Sequence, residues 1–253
     1  MCIVSFAWQA HPRWKLVAIG NRDEMHARPA DPLARWESAN HLLAGRDAKA
    51  GGTWLGISEQ GRFAVVTNLA GFGDPDPQRA SRGDLLRDFL SGEGLHANLD
   101  RAQFSDFNPF NLITVSGESA TVHSNRPASA SVALPPGIHG LSNGPLDNPW
   151  PKSGHLNAAL DQWMADGADD PAVLLNALRE ETAYAPDING NVGSQLTFEP
   201  RNSPVFIRHP LYGTRCSTVV AIDNQGAGSI IERSFEPAGN ATGETRLSFS
   251  WPQ

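Results

Sequence analysis

What most limits the folds open to this chain is a succession of short runs of β-forming apolar residues, each broken within about ten residues by Gly, Pro, Asn or Asp. Residues 3–8 and 15–20 are two such runs, joined by Gln9-Ala10-His11-Pro12-Arg13, which reads as a hairpin connection. Further strands are expected at residues 41–45, at 53–57, and at 62–67 after the turn Glu59-Gln60-Gly61. A hairpin around Gly117 joins 108–115 to 119–124, and in the run 137–145 a short strand ends in Ser142-Asn143 before turn residues. The chain closes on runs at 219–223, 229–235 and 245–250.

Helical spacing is confined to three stretches. Ser81-Arg82-Gly83-Asp84 reads as a cap on a helix through about Leu90, with Leu85, Leu86, Phe89 and Leu90 as its apolar face. Residues 151–166 and 170–181 place Leu156, Leu160 and Trp163, then Val173, Leu174 and Leu178, to face a core from an outer layer. Residues 28–32 read as an extended, proline-stiffened wrap, and the Gly-, Asp- and Pro-rich stretch 71–82 as a surface loop able to cover a pocket.

At 253 residues the chain is long enough for one sizeable core, and one domain over residues 1–253 is expected. The net charge of −7, with no compensating Lys/Arg run, argues against nucleic acid and anionic membrane surfaces as partners. Two cysteines make no disulfide framework and the first residues lack a secretory pattern, so a reducing cytoplasm is expected. No apolar run approaches the roughly 18 residues of a membrane span. Gly51-Gly52 lacks the Lys-Ser/Thr and helix of a phosphate loop, the eight histidines never fall at zinc-ligand spacing, and Asp187-Ile188-Asn189-Gly190-Asn191-Val192-Gly193 has too few carboxylates for a calcium loop. No metal and no cofactor are expected.

Candidate chemistry gathers at strand ends. Cys2 begins the first strand; if Met1 is removed it carries a thiol and a free α-amine, nucleophile and base on one residue, titrating near pH ~8.5 and ~8. The alternative is a small hydrophobe starting a buried strand. Asn21-Arg22-Asp23-Glu24 follows the second strand, beside the first, and reads either as a site or as a solvated turn. Asn68, after 62–67, offers an amide N–H to an oxyanion or tolerates a left-handed turn. Ser142-Asn143 repeats the pattern of Thr67-Asn68. Arg215 favours a nearby thiolate or makes an ordinary ion pair. His123 is a candidate by residue type alone.

Together, Met1-Cys2-Ile3, Asn21-Arg22-Asp23-Glu24, Gly51-Gly52-Thr53-Trp54-Leu55-Gly56, Thr67-Asn68-Leu69 and Gly213-Thr214-Arg215 resemble the NRDE family, also called the Transport and Golgi Organisation 2 family. Its members are similar to N-terminal nucleophile (Ntn) hydrolases, which implies an α+β four-layer αββα sandwich of two packed antiparallel sheets. The nearer analogues, choloylglycine hydrolases and penicillin V acylases, cleave linear amides. The resemblance implies Cys2, Asn68, Asn143 and Arg215 as catalytic residues, with Asp23 or Glu24 as the acidic partner. Of these two Asp23 is preferred, and Asn21, Arg22, Glu24, Trp54, Thr67 and Ser142 are supporting residues. Two functions follow: a small-molecule amidohydrolase using Cys2, or a carrier for haem or a lipid- or acyl-CoA-type ligand on the same fold, in line with eukaryotic members linked to haem or lipid handling.

Overall fold

The computed structural model describes residues 2–145, 148, 150–167, 169–183 and 200–252. In chain order the strands are β1 (Cys2–Trp8), β2 (Trp14–Met25), β3 (Ala30–Trp36), β4 (Ala39–Asp47), β5 (Leu55–Ser58), β6 (Arg62–Asn68), β7 (Phe110–Ser116), β8 (Ser119–Ser124), β9 (Ala130–Ala133), β10 (Gly137–Leu141), β11 (Tyr212–Asp223), β12 (Ala227–Phe235) and β13 (Ala241–Ser250). Helix α1 (Arg82–Ser91) lies between β6 and β7, and helix α2 (Pro151–Ala165) follows β10.

The strands form a six-stranded sheet in the order β10-β1-β2-β11-β12-β13 and a seven-stranded sheet running β3 to β9 in sequence order. All pairings are antiparallel. Because successive strand residues point to opposite faces, one strand serves two cores. Val4, Phe6 and Trp8 of β1 and Val220 and Ile222 of β11 meet Ile57, Phe63, Val65 and Val115 of the facing sheet. Ile3, Val17, Ile19 and Val219 point the other way, under Leu156, Leu160 and Trp163 of α2. On the far side Leu42, Ala64 and Leu112 are covered by Leu85, Leu86, Phe89 and Leu90 of α1. This is the αββα sandwich, and it explains why β1 is buried at every position and apolar at all but Ser5, whose hydroxyl donates to Asn157 Oδ1 of α2 at 2.7 Å.

Ser81 caps α1 as the sequence indicates, its side chain accepting from Gly83 N–H. Gly52 lets that cap approach: a Cβ there would lie 2.3 Å from the carbonyl carbon of Gly83, so the start of α1 sits directly on the segment leading into β5.

Several expectations are corrected. β2 does not end at Gly20 but runs to Met25, because β11 pairs along the polar residues and so satisfies their backbone, with a register shift between Thr214 and Cys216. The wrap at 28–32 enters strand β3, paired with β4. The third helix is two 3-10 turns, Pro171–Leu175 and Ala177–Arg179, divided at Asn176, which closes one and opens the next. Leu174, Leu175 and Leu178 reach the core, whereas Val173 is 47% exposed. The Gly/Asn-rich segment 187–193 lies outside the described residues. No helix among the described residues is long and apolar enough to cross a membrane.

Candidate functional site

Cys2, Arg22, Cys216 and Ser234 stand in register across β1, β2, β11 and β12, forming one cross-strand row. The row floors a cavity of about 740 Å³. Asp23, Glu24, Arg28, Asp47, Trp54, Asn68, Arg215 and Glu232 line it too, as does the first turn of α1 through Ser81, Arg82 and Gly83.

Cys2 is clamped by the paired strand ends. Its N–H donates to Asn143 Oδ1 at 3.3 Å, and its carbonyl accepts from Ser142 Oγ at 3.4 Å. Asn143 Nδ2 donates to the Asn68 carbonyl at 2.8 Å, Ala70 N–H donates to the Asn143 carbonyl at 2.8 Å, and Thr67 Oγ1 donates to the Ser142 carbonyl at 2.6 Å. The parallel between Thr67-Asn68 and Ser142-Asn143 is thus a physical junction, one strand end from each sheet, closed over the first residue of β1. Burial pushes the Cys2 thiol up, and the neighbouring Asp23 charge adds to it; Arg22 and a backbone hydrogen bond from Asp23 oppose it.

Asp23 is buried. Its Oδ1 accepts from Thr214 Oγ1 at 2.7 Å and its carbonyl from Tyr212 Oη at 2.9 Å. Burial raises the carboxyl; Lys152 is the strongest influence on the structure's interior opposing it, with the Thr214 hydrogen bond and Arg22 behind. Glu24 is instead half-exposed at the cavity rim, 4.0 Å from both Arg22 and Arg28. Arg22 Nη2 and Arg28 Nε both reach Asp47 Oδ2, at 3.1 and 2.6 Å. Although burial alone raises the Asp47 carboxyl, the Arg28 hydrogen bond, the Ala50 N–H and the two guanidinium charges hold it below the usual carboxylate range.

Arg215 lines the cavity but is spent on the backbone: Nη1 donates to the carbonyls of Met25, His26 and Arg28 at 3.0, 3.2 and 2.9 Å, fastening the chain beyond β2. Arg82 donates from Nη1 to the Pro109 carbonyl at 2.9 Å and forms no ion pair among the described residues. Asn21 faces away from the cavity, its Nδ2 donating to the carbonyls of Leu178 and Val205 at 2.9 Å each and its Oδ1 accepting from Ser217 Oγ. It ties β2 to the outer layer. His123 lies on β8, bonded to Thr114 and Ser131, and burial pushes it down to about 4. No group of His, Cys, Asp and Glu among the described residues is arranged to hold a metal ion.

Sequence reasoning missed several neighbours. Lys152 is completely buried, with Nζ donating to Ser203 Oγ at 2.9 Å. Glu232 is buried beneath Cys216, accepting from Leu33 N–H at 2.8 Å and Thr218 Oγ1 at 3.3 Å. A signal existed for Lys152, since a cation in the first turn of a helix opposes the helix dipole. Glu232 lies in an ordinary strand and gives none.

The family model for Transport and Golgi organisation 2 matches residues 1–237. The chain belongs to the Transport and Golgi organisation 2 family. The bovine Transport and Golgi organization protein 2 homolog is 33% identical over 260 residues, covering 93% of each chain. The human homolog is 32% identical over 271 residues and 97% of each, and the Drosophila melanogaster protein is 26% identical over 93% of this chain and 92% of its own. Among solved structures, an alanine-for-cysteine variant of conjugated bile acid hydrolase from Clostridium perfringens superposes with a TM-score of 0.52 at 9% identity, over 97% of this chain and 92% of its own. A second variant of that hydrolase, with leucine for arginine, gives 0.50 at 8%, over 98% and 97%. At these identities the likeness is one of fold: this Transport and Golgi organisation 2 member has the Ntn-hydrolase architecture.

Proposed function

We propose that the protein is a cysteine amidohydrolase of the Ntn type, acting on a non-peptide amide or related acyl bond of a small molecule. The observation that carries the reading is that Cys2 lines the cavity while its nitrogen is held 3.3 Å from Asn143 Oδ1, so that the thiol and the nitrogen Met1 removal would free belong to one fixed residue. Removal of Met1 turns that nitrogen into a primary amine. The amine then takes the thiol proton, and the thiolate adds to the substrate carbonyl. The Asn68 carboxamide and backbone N–H groups hold the oxyanion, and Asp23 and Arg215 keep the Cys2 end of the site in order. Collapse breaks the C–N bond, the Cys2 ammonium returns its proton to the leaving amine, and water, deprotonated by the same amine, hydrolyses the thioester to free acid and thiol. The test is release of amine from a panel of N-acyl amides. Turnover by the Met1-free protein, absent from Cys2→Ser and from a form in which Met1 is retained, supports the reading; equal turnover by all three overturns it.

A second reading, retention of a ligand such as haem or a lipid- or acyl-CoA-type molecule without turnover, is favoured by the cavity itself. It is larger than an amide group requires, and Arg82 brings to it a guanidinium with no ion pair among the described residues. Saturable binding of such a ligand by Cys2→Ala, with no cleavage by the wild type, selects this reading.

A further inference from the structure

A sheet that does not close has two edges, and an edge strand presents a row of unpaired peptide groups to any strand that can lie beside it. Among the described residues the two sheets have four edge strands, and three of them are poor templates. β9 and β10 have only four and five residues, and β3 carries Pro32 and two breaks in its register with β4. The fourth is β13, ten residues without proline or lysine, most of them exposed. It pairs with β12 on one side, and its one irregularity lies near its start, opposite Ser234 and Phe235. Among the described residues nothing pairs with its other side.

Side chains alternate along β13. Leu247 and Phe249 turn toward the core between the sheets, so Thr245 shares that face, whereas Glu244 and Arg246 stand on the outer one. There Glu244 Oε2 accepts from Nη2 of Arg233 on β12 at 2.7 Å, and Arg246 Nη1 lies 3.4 Å from Asp170. Both side chains remain half-exposed. A negative charge followed two residues later by a positive one, on one face of a free edge, is complementary to an antiparallel copy of itself.

We infer that β13 is a docking site for a second copy of this chain, the two strands pairing antiparallel about a two-fold axis at Thr245 and joining two six-stranded sheets into one. In such a pair the residue on the axis faces itself, and residues equally far from it face each other. With Thr245 on the axis, Glu244 of each copy faces Arg246 of the other, and Gly243 faces Leu247. With Glu244 or Arg246 on the axis, two like charges face each other, which is destabilising. With Gly243 or Leu247 there, neither charge meets its opposite. The Thr245 register therefore sets Arg233 and Glu244 of one copy against Arg246 and Asp170 of the second, a row that alternates in sign across the junction. Thr242, Gly243, Glu244 and Thr245 also line the cavity that holds Cys2, so the pairing brings two such cavities to either side of the junction. It does not depend on whether Cys2 turns over.

The experiment is sedimentation velocity of the full chain over a concentration series. The wild type is expected to pass from monomer to dimer as concentration rises. Glu244→Arg and Arg246→Glu each turn both attractions at the junction into repulsions, and each is expected to raise the dimer dissociation constant by about tenfold or more. Mixed in equal amounts, the two variants are expected to dimerise again, because each then presents the charge that the other lacks. In a Cys2→Ser, Cys216→Ser background, Thr245→Cys is expected to form an interchain disulfide under mild oxidation and Ser248→Cys is not, since only the residue on the axis lies within disulfide reach of itself. This crosslink decides the matter if a charge variant does not fold. A wild type that stays monomeric at every concentration, a dimer unaffected by either charge variant, a mixture that stays monomeric, or a Thr245→Cys chain that crosslinks no better than Ser248→Cys overturns the inference.

Discussion

Asn143 is the residue whose removal tests the clamp around Cys2 most directly. Its carboxamide makes two hydrogen bonds that cross the molecule, accepting from the Cys2 N–H at 3.3 Å and donating to the Asn68 carbonyl at 2.8 Å, and the residue is 1% exposed. Asn143→Ala leaves the buried Cys2 N–H and the part-buried Asn68 carbonyl without these partners. At about 1–1.5 kcal/mol for each such bond the loss is about 2–3 kcal/mol. For a domain of this size that lowers Tm by roughly 5–10 °C. Ser142→Ala is the internal control: it removes one contact of 3.4 Å, near the limit of a hydrogen bond, and is expected to cost less than about 1 kcal/mol. Urea unfolding followed by tryptophan fluorescence reads both, with the slope unchanged between variants. Asn143→Ala within about 0.5 kcal/mol of wild type, or Ser142→Ala as costly as Asn143→Ala, would refute the claim that the Asn143 bridge holds the two strand ends over Cys2.

Other consequences follow from the same geometry. Asn68→Ala removes a proposed oxyanion donor and is expected to lower kcat by about 10²–10³-fold, about 3 kcal/mol, with stability nearly unchanged because its side chain sits on the cavity surface; steady-state kinetics on a cleaved amide checks it, and a loss confined to KM counts against that role. Glu232 is a buried acid whose carboxyl burial pushes up. A carboxyl raised on folding binds its proton more tightly in the native state, so it costs stability as pH rises from the ordinary carboxylate value toward the raised one. Glu232→Gln keeps an acceptor for Leu33 N–H and carries no charge, so it is expected to be more stable than wild type at pH 8 and similar at pH 4. Equal stability differences at the two values contradict this.

Much of the scaffold was legible because the alternation of apolar runs with Gly, Pro and Asn is a direct consequence of sandwiched antiparallel strands. Ser81 announced α1, and Leu156, Leu160 and Trp163 announced α2. The failures have one physical origin: tertiary pairing overrides local pattern. Asn21 to Glu24 look like a strand exit until β11 pairs with them, and the 170–181 stretch looks helical until Asn176 splits it. The same limit applies to the site. Asn68 and Asn143 could be singled out because each ends a strand, but that the second bonds to the backbone of the first is a long-range fact. Asn21 carried the same residue type and points to the opposite face, because side chains alternate along β2. Arg215 is in the cavity but committed to carbonyl oxygens, which spacing cannot reveal. Lys152 was written in the sequence only as a cation at an unfavourable helix position.

The central claim is that Cys2 is a nucleophile made competent by losing one residue. Intact-mass and peptide mass spectrometry of the protein after treatment with a thiol-directed acyl probe tests it most directly, since Cys216 shares the cavity and serves as the competing thiol. The account predicts a chain lacking Met1 with a single adduct on Cys2, and no adduct in Cys2→Ser. A chain that keeps Met1, or an adduct that forms on Cys216 and persists in Cys2→Ser, contradicts it.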